Sequence, residues 1–130
     1  MATLFTKIVN GVIPSYRIYE DEWTYAFLDI TPTQRGHLLV VPKQVEVADF
    51  EELPEPHYSA LMRTSQFLAR VLKRSFDSRK VALLIEGLQV PHSHVHLIPI
   101  DTDADLHASS LDLSAEEMQE IQRLIIQNID

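Results

Sequence analysis

Residues 90–100, VPHSHVHLIPI, place His92, His94 and His96 at every second position of an apolar run. A period of two marks a strand, in which successive side chains point to opposite faces. The spacing predicts a strand with three imidazoles on one face, and with Val95 and Leu97 turned to a core on the other. Chance is a poor source of this pattern. With 6 histidines in 130 residues, a given histidine is followed by two more at i+2 and i+4 only roughly 0.2% of the time. A row of threonines would pack equally well without needing partners for both nitrogens of every ring. The row is therefore read as chemistry.

The remaining segments supply elements to hold such a strand. In ATLFTKIVNG, Leu4, Phe5 and Ile8 fall on one face of a short helix that ends at Asn10-Gly11. YRIYEDEWTYAFLDI reads as two short strands about an acidic turn at Glu20 to Glu22, since β-branched and aromatic residues flank the break. TPTQRG is a loop punctuated by Pro32 and Gly36, and His37 to Val41, HLLVV, is a buried strand stopped by Pro42. From Pro56 to Phe76, Leu61, Met62, Phe67, Leu68, Val71 and Leu72 recur near a 3.6-residue period, which predicts the main helix. VALLIEG pairs with the histidine segment as a second strand unit. Because VALLI is apolar at every position, it is expected to need cover on both faces. Ser114 and Glu117 form a capping box for the C-terminal helix SAEEMQEIQRLIIQ. These elements specify an α+β fold: an antiparallel sheet of about five strands, a long central helix and short terminal helices.

Composition excludes several classes. A chain of 130 residues, 45% hydrophobic and 23% charged, suits a single domain with its own core. With 0 cysteines there is no disulfide framework, thiolate metal site or thiol nucleophile. MATLFTKIVNG lacks the apolar core of a signal peptide and no run reaches membrane-spanning length, so a soluble cytoplasmic protein with no membrane partner is expected. The net charge of −8 disfavours nucleic acid, whose binding needs a cationic footprint. His57 and His107 sit in polar surroundings and are expected at the surface.

Metal binding and phosphorus chemistry are the two uses an imidazole row invites. At ~3.3 Å per residue, His92 and His96 have backbones ~13 Å apart, too far for all three rings to reach one zinc at ~2 Å. Two neighbouring rings, completed by Asp29 or His37, remain a possible chelate. An extended row better suits an extended substrate, with one ring attacking and the next handling a proton on the leaving group. Neutral histidine is a nucleophile and protonated histidine a general acid, and an ordinary pKa of ~6.5 lets neighbours hold opposite states near neutrality.

Four segments, HSHVHLI, AFLDI, GHLLVVPK and FTKIVNGVIPS, resemble in order and spacing the motifs of the histidine triad, or HIT, family of nucleotide hydrolases and transferases, in particular its Hint-like phosphoramidase branch. The resemblance covers most of the chain and implies one HIT domain over residues 1–130. By position in those motifs, it implies that His94 attacks the α-phosphorus of a nucleotide and becomes nucleotidylated. His96 would contact the scissile phosphate and help protonate the leaving group, while His92 and His37 orient the array. Asp29 would accept hydrogen bonds from the ribose hydroxyls, although Asp before TPTQ also suits a loop-entry cap. Phe5, Ile8, Phe27, Ile30 and Leu39 would form an apolar slot for the base. The resemblance also implies a homodimer built on the long helix and the VALLIEG strand.

The chain departs from the family pattern in two places. Many members carry an Asn and a glycine-rich stretch ending in Gly-Gln-Ser before the triad. Here the segment is only LLIEGLQVPH, so Leu88 and Gln89 stand near the leaving group and Gln89 is the remaining donor. Some members bind structural zinc through N-terminal cysteines, whereas TLFT has none and VVPKQV lacks the accompanying histidine, so no structural zinc is expected. The resulting expectation is a purine-nucleotide hydrolase, acting on an AMP or GMP moiety and requiring no cofactor. The alternatives are a dinucleoside polyphosphate hydrolase, a nucleotidyltransferase, or a nucleotide-sensing scaffold without turnover.

Overall fold

The computed structural model describes residues 2–129. Its regular elements are α1 (Leu4–Val9), β1 (Arg17–Glu20), β2 (Thr24–Leu28), β3 (Leu38–Pro42), α2 (His57–Phe76), β4 (Lys80–Leu84), β5 (Val95–Ile100) and α3 (Ala115–Gln127), with short 3-10 turns at Phe50–Glu52 and Asp103–His107. The five strands form one antiparallel sheet in the order β1-β2-β3-β5-β4. The two hairpin units thus join where β3 meets β5, with Leu39 opposite His96.

Every residue of β2 and β3 is buried, because the sheet is covered on both sides. Alternation assigns each strand's side chains to one of two cores. Ala26 and Leu28 of β2, Leu38 and Val40 of β3, and Val95 and Leu97 of β5 pack against Leu61, Leu68, Val71 and Leu72 of α2 and against Met118, Ile121 and Ile125 of α3. Burying each of these larger aliphatic side chains contributes about 1.5–3 kcal/mol. Tyr25, Phe27, Leu39 and Val41 point the other way, to Phe5 and Ile8 of α1. Since His37 and His96 share the parity of Leu39 and its partner, they belong to this second face.

Local sequence accounts for the helix ends. Ser114 and Glu117 form the capping box expected for α3. Helix α2 closes on Asp77, left-handed at φ 51°, whose N–H reaches the Lys73 carbonyl. Gly36, at φ +89°, lies so close to Phe76 that a Cβ would fall 2.4 Å from the ring. Only glycine fits there, and it hands the chain directly to His37.

Three expectations need correction. Strand β5 begins at Val95, so His92 and His94 precede it and only His96 is a strand residue. The reason lies across the sheet. Continuing the β3–β5 register would set Ser93 against Pro42, which has no N–H to give. Instead, the Ser93 N–H and hydroxyl both donate to the Val47 carbonyl, at 2.7 and 2.6 Å. Second, VALLI is not covered on both faces. Strand β4 is an edge with Leu83 and Leu84 each nearly half exposed. Third, His57 is half-buried at the start of α2, edge-on to Trp23 with ring centroids 5.5 Å apart, while His107 is exposed as expected.

Candidate active site

The histidines gather where α1, the 85–94 segment and the ends of β2, β3 and β5 meet. His92 is fully buried and His94 is 4% exposed; His96 is half-buried. The rings form a connected file, with centroids 4.9 Å apart for His94 and His96 and 5.2 Å for His96 and His37. Phe5 lies edge-on to His94 at 4.7 Å and to His92 at 5.8 Å. Helix α1 therefore forms one wall of the array.

Hydrogen-bond partners assign the tautomer of each ring. His94 Nδ1 lies 2.8 Å from the carbonyl oxygen of His92, which can only accept. The proton of His94 is thus on Nδ1, and its Nε2 carries a bare lone pair. The backbone N–H of Thr33 donates to His37 Nδ1 at 3.1 Å, so the His37 proton is on Nε2. That proton points at His96 Nδ1, 3.0 Å away, and less directly at Asp29 Oδ2, at 3.4 Å. His96 accepts on Nδ1 and keeps its own proton on Nε2. His92 Nε2 donates to the Pro42 carbonyl at 3.0 Å and its Nδ1 meets the Thr3 hydroxyl at 2.7 Å. One ring thereby presents a lone pair while the neighbouring ring presents an N–H, which is what displacement of a leaving group needs.

Burial sets the charge state of three of the rings. It is the main reason that the pKa of His96 falls from 6.5 to about 4, with neighbouring His94 and His37 adding to the effect. Burial also lowers His37, against the opposing pull of Asp29, and lowers His92, against Pro42 and Glu46. The opposite protonation states expected of neighbours are therefore not held by these three in the free protein, where all are neutral at pH 7.

Asp29 fills two roles. Its Oδ1 accepts from the Thr31 N–H at 2.8 Å and the Thr31 hydroxyl at 3.0 Å, the loop-entry turn expected of an Asp before TPTQ. Its Oδ2 faces His37. Phe5, Ile8, Phe27 and Leu39 form one buried cluster with Tyr25 and Val41, and Phe5 brings it against the rings of His92 and His94. Ile30 is 77% exposed next to Asp29, outside that cluster, and Gln89 is exposed with no hydrogen bond among the described residues.

One donor atom each from Asp29, His37 and His96 lies within 4.8 Å of the others, close enough to share a metal ion. The donor chemistry does not fit. Binding through His37 Nε2 would move that ring's proton to Nδ1, against the N–H of Thr33. Sequence reasoning missed Thr3 and Thr33, the residues that orient His92 and His37. Thr3 is detectable only as the N-cap of α1, since its contact spans 89 positions and follows no period.

The HIT domain profile matches residues 10–103. The chain is 39% identical over 100 residues to an uncharacterised HIT-like protein of Methanocaldococcus jannaschii, covering 74% of this chain and 77% of that one. It is 37% identical over 101 residues to the adenosine 5'-monophosphoramidase of Saccharomyces cerevisiae, covering 75% of this chain and 62% of that protein. Identity to a bis(5'-adenosyl)-triphosphatase of Saccharomyces cerevisiae is 30% over 102 residues, 72% of this chain and 50% of that enzyme. The zinc-bound histidine triad family protein of Mycobacterium smegmatis superposes with a TM-score of 0.85 at 29% identity, over 99% of this chain and 94% of that one. With the profile spanning most of the chain and relatives that include proteins named as hydrolases, the chain belongs to the HIT family.

Proposed function

We propose that the enzyme cleaves a purine nucleoside 5'-phosphoramidate, or a related nucleotidyl substrate with an AMP or GMP moiety, at the α-phosphorus through a covalent nucleotidyl-His94 intermediate. The observation that carries this reading is the His94 tautomer, because the His92 carbonyl holds the proton on Nδ1 and leaves Nε2 free to attack. Attack forms a P–N bond to His94 as the bond to the leaving nitrogen breaks. Water then cleaves the P–N bond to His94, releasing the nucleoside monophosphate.

His96 serves the leaving atom with its Nε2–H. In the free protein it is a neutral hydrogen-bond donor; the negative charge of a bound phosphate favours uptake of a second proton from solvent, and the imidazolium gives the Nε2 proton to the leaving nitrogen as the P–N bond breaks and returns to the neutral ring. His37 fixes the direction of that donor by giving its own proton to His96 Nδ1. The base enters beside Phe5, Ile8, Phe27 and Leu39, with Ile30 at the rim, and the ribose hydroxyls meet Asp29. Neither metal nor cofactor takes part in the histidine step, a reading supported by the poor fit of the Asp29, His37 and His96 donors to an ion.

Cleavage of a dinucleoside polyphosphate, or transfer to another acceptor, is the second reading. It is raised by the segment before the triad, which departs from the family pattern and in which Leu88, 87% exposed, and Gln89 both face solvent. We place the protein in the cytoplasm, without nucleic-acid or membrane partners. Among the described residues no helix is long and apolar enough to cross a membrane. A homodimer is proposed along β4, whose exposed Leu83 and Leu84 and open strand edge suit pairing with a second copy.

A single-turnover reaction with an adenosine 5'-phosphoramidate labelled at the α-phosphorus tests the reading. Acid-labile label on His94 is expected. Rapid product release with no protein-bound label at any quench time overturns the covalent route.

A further inference from the structure

We propose that Thr3 is a positioning residue for the histidine row: its hydroxyl gives a proton to His92 Nδ1, locking the ring whose own carbonyl holds the nucleophile. The inference rests on the reading of His94 as that nucleophile, but its structural half stands on hydrogen bonds alone.

His92 has no exposed surface, so both ring nitrogens must find partners inside the protein. The Pro42 carbonyl at Nε2 accepts and cannot donate, which leaves Nδ1 without a proton and in need of a donor. The Thr3 hydroxyl, 2.7 Å away, is the donor within reach among the described residues. Its proton is available for a reason visible in the same cluster. Glu46 Oε2 accepts from the Thr3 N–H at 2.7 Å and also from the Thr6 hydroxyl. Thr6 thus gives its proton to Glu46 and can only accept from the Thr3 hydroxyl, at 3.3 Å, so His92 Nδ1, at 2.7 Å, is the nearer acceptor for the Thr3 proton. The Thr6 N–H in turn donates to Thr3 Oγ1 at 3.2 Å. That donation occupies a lone pair of Thr3 and turns its proton toward His92.

The consequence reaches the reacting atoms through one residue. The His92 carbonyl is the acceptor for His94 Nδ1, so rotation or protonation of His92 disturbs the group that sets the His94 tautomer. Helix α1 carries both Thr3 and Phe5, the residue packed edge-on against His94. Docking of this six-residue helix is thereby coupled to nucleophile placement. The groups facing His92 are Glu46 from the segment after β3, His94 on its own segment, the Pro42 carbonyl of β3 and the Phe5 ring of α1. Of these, Glu46 favours a charged His92 and His94 opposes it. Removing the Thr3 proton removes a hydrogen bond that favours the neutral ring, and Glu46 is then placed to stabilise the imidazolium.

Three substitutions separate positioning from helix capping. Thr3→Ser keeps the cap and the proton. Thr3→Asp keeps a good N-cap acceptor but, ionised, has no proton to give. Thr3→Val loses both. Two readouts apply: ¹⁵N NMR of the His92 ring, and the pH dependence of label transfer from an adenosine 5'-phosphoramidate to His94. For wild type and Thr3→Ser, the neutral Nε2–H form of His92 and similar rates, within about threefold, are expected. In Thr3→Asp and Thr3→Val, His92 takes up its second proton at a higher pH than in wild type. Labelling slows about tenfold at neutral pH and further below it, with KM within about twofold. If Thr3→Val does not fold, Thr3→Asp carries the same test. A neutral Nε2–H ring in Thr3→Asp, with a wild-type pH profile, overturns the proposal and leaves Thr3 a helix cap only. If wild type takes no label, the covalent reading fails, and the NMR arm still decides what Thr3 does to His92.

Discussion

The side chain of His94 donates through Nδ1 to the backbone carbonyl of His92, two residues earlier, over 2.8 Å. The His94 proton is therefore held by its own chain rather than by a neighbouring acid. His94→Asn offers an amide of similar shape to the same carbonyl, so fold and nucleotide binding are expected to persist while turnover falls more than about a hundredfold. Calorimetric titration with AMP beside a single-turnover assay checks both halves. Residual activity above about a hundredth of wild type contradicts covalent catalysis at this ring.

His96 keeps its proton on Nε2 because His37 donates to its Nδ1, and on the proposed reading that N–H serves the leaving atom. In His96→Asn, cleavage with an amine or alkoxide leaving group is expected to slow by about 10² or more, and cleavage of a nitrophenyl ester much less, since nitrophenolate departs without a proton. Matched rate losses across such a substrate series would place His96 in binding rather than proton delivery.

Asp29→Asn is expected to weaken ribonucleotide binding about ten- to a hundredfold through loss of a charge-assisted hydrogen bond, and to affect 2',3'-dideoxy ligands less. The geometry adds a second effect. With Oδ1 bound to Thr31, an Asn turns its NH₂ toward the His37 proton that Oδ2 now faces, so the rate of the chemical step also drops a few-fold. Titration with paired ribo- and dideoxynucleotides separates the sugar contribution.

Much of this arrangement is written in short-range pattern. The alternation of Tyr25, Ala26, Phe27 and Leu28 against Leu38, Leu39, Val40 and Val41 sorts both faces of the sheet correctly, and Ser114 with Glu117 marks the start of α3. The parity of Val95 and Leu97 also gives the core side of β5, even though His92 and His94 stand outside the strand. What the pattern hides depends on distant partners. Pro42 ends the β3–β5 ladder from across the sheet, and Thr3 reaches His92 over 89 positions. The edge position of β4 likewise follows from strand order, which hydropathy does not encode.

Gly36→Ala is expected to destabilise the fold by roughly 2–4 kcal/mol, combining a left-handed backbone with overpacking against Phe76. A fall in Tm measured by calorimetry checks it. Because Gly36 leads directly into His37, the rate is expected to fall as well. Shortening Phe76 to Leu in the same chain should restore part of the Tm.

His37, His92 and His96 all have folded-state pKa values below their ordinary 6.5, with His96 at about 4. Below pH 6.5 the unfolded chain takes up protons that the folded one excludes, so stability declines as pH falls from about 6.5 toward 4 and is level above about 7. Paired carboxylates such as Glu20 and Asp21, whose values are lowered, lose their contribution only at more acid pH. Urea titrations from pH 8 to pH 4 are expected to show this decline, and it should be shallower in His96→Asn.

The sheet that separates the two apolar clusters also separates two kinds of tolerance to change. Substitutions among Leu61, Leu68, Val71, Met118, Ile121 and Ile125 act on one side of it, where they alter how firmly the chain folds. Substitutions near Phe5, Phe27 and Leu39 act on the other, beside the histidines, where on the proposed reading they alter what the chain binds. An engineer could therefore raise the melting point and redirect the substrate as nearly independent projects. The seam at Gly36 and Phe76 is the exception, because there the helix side presses on the backbone that carries His37.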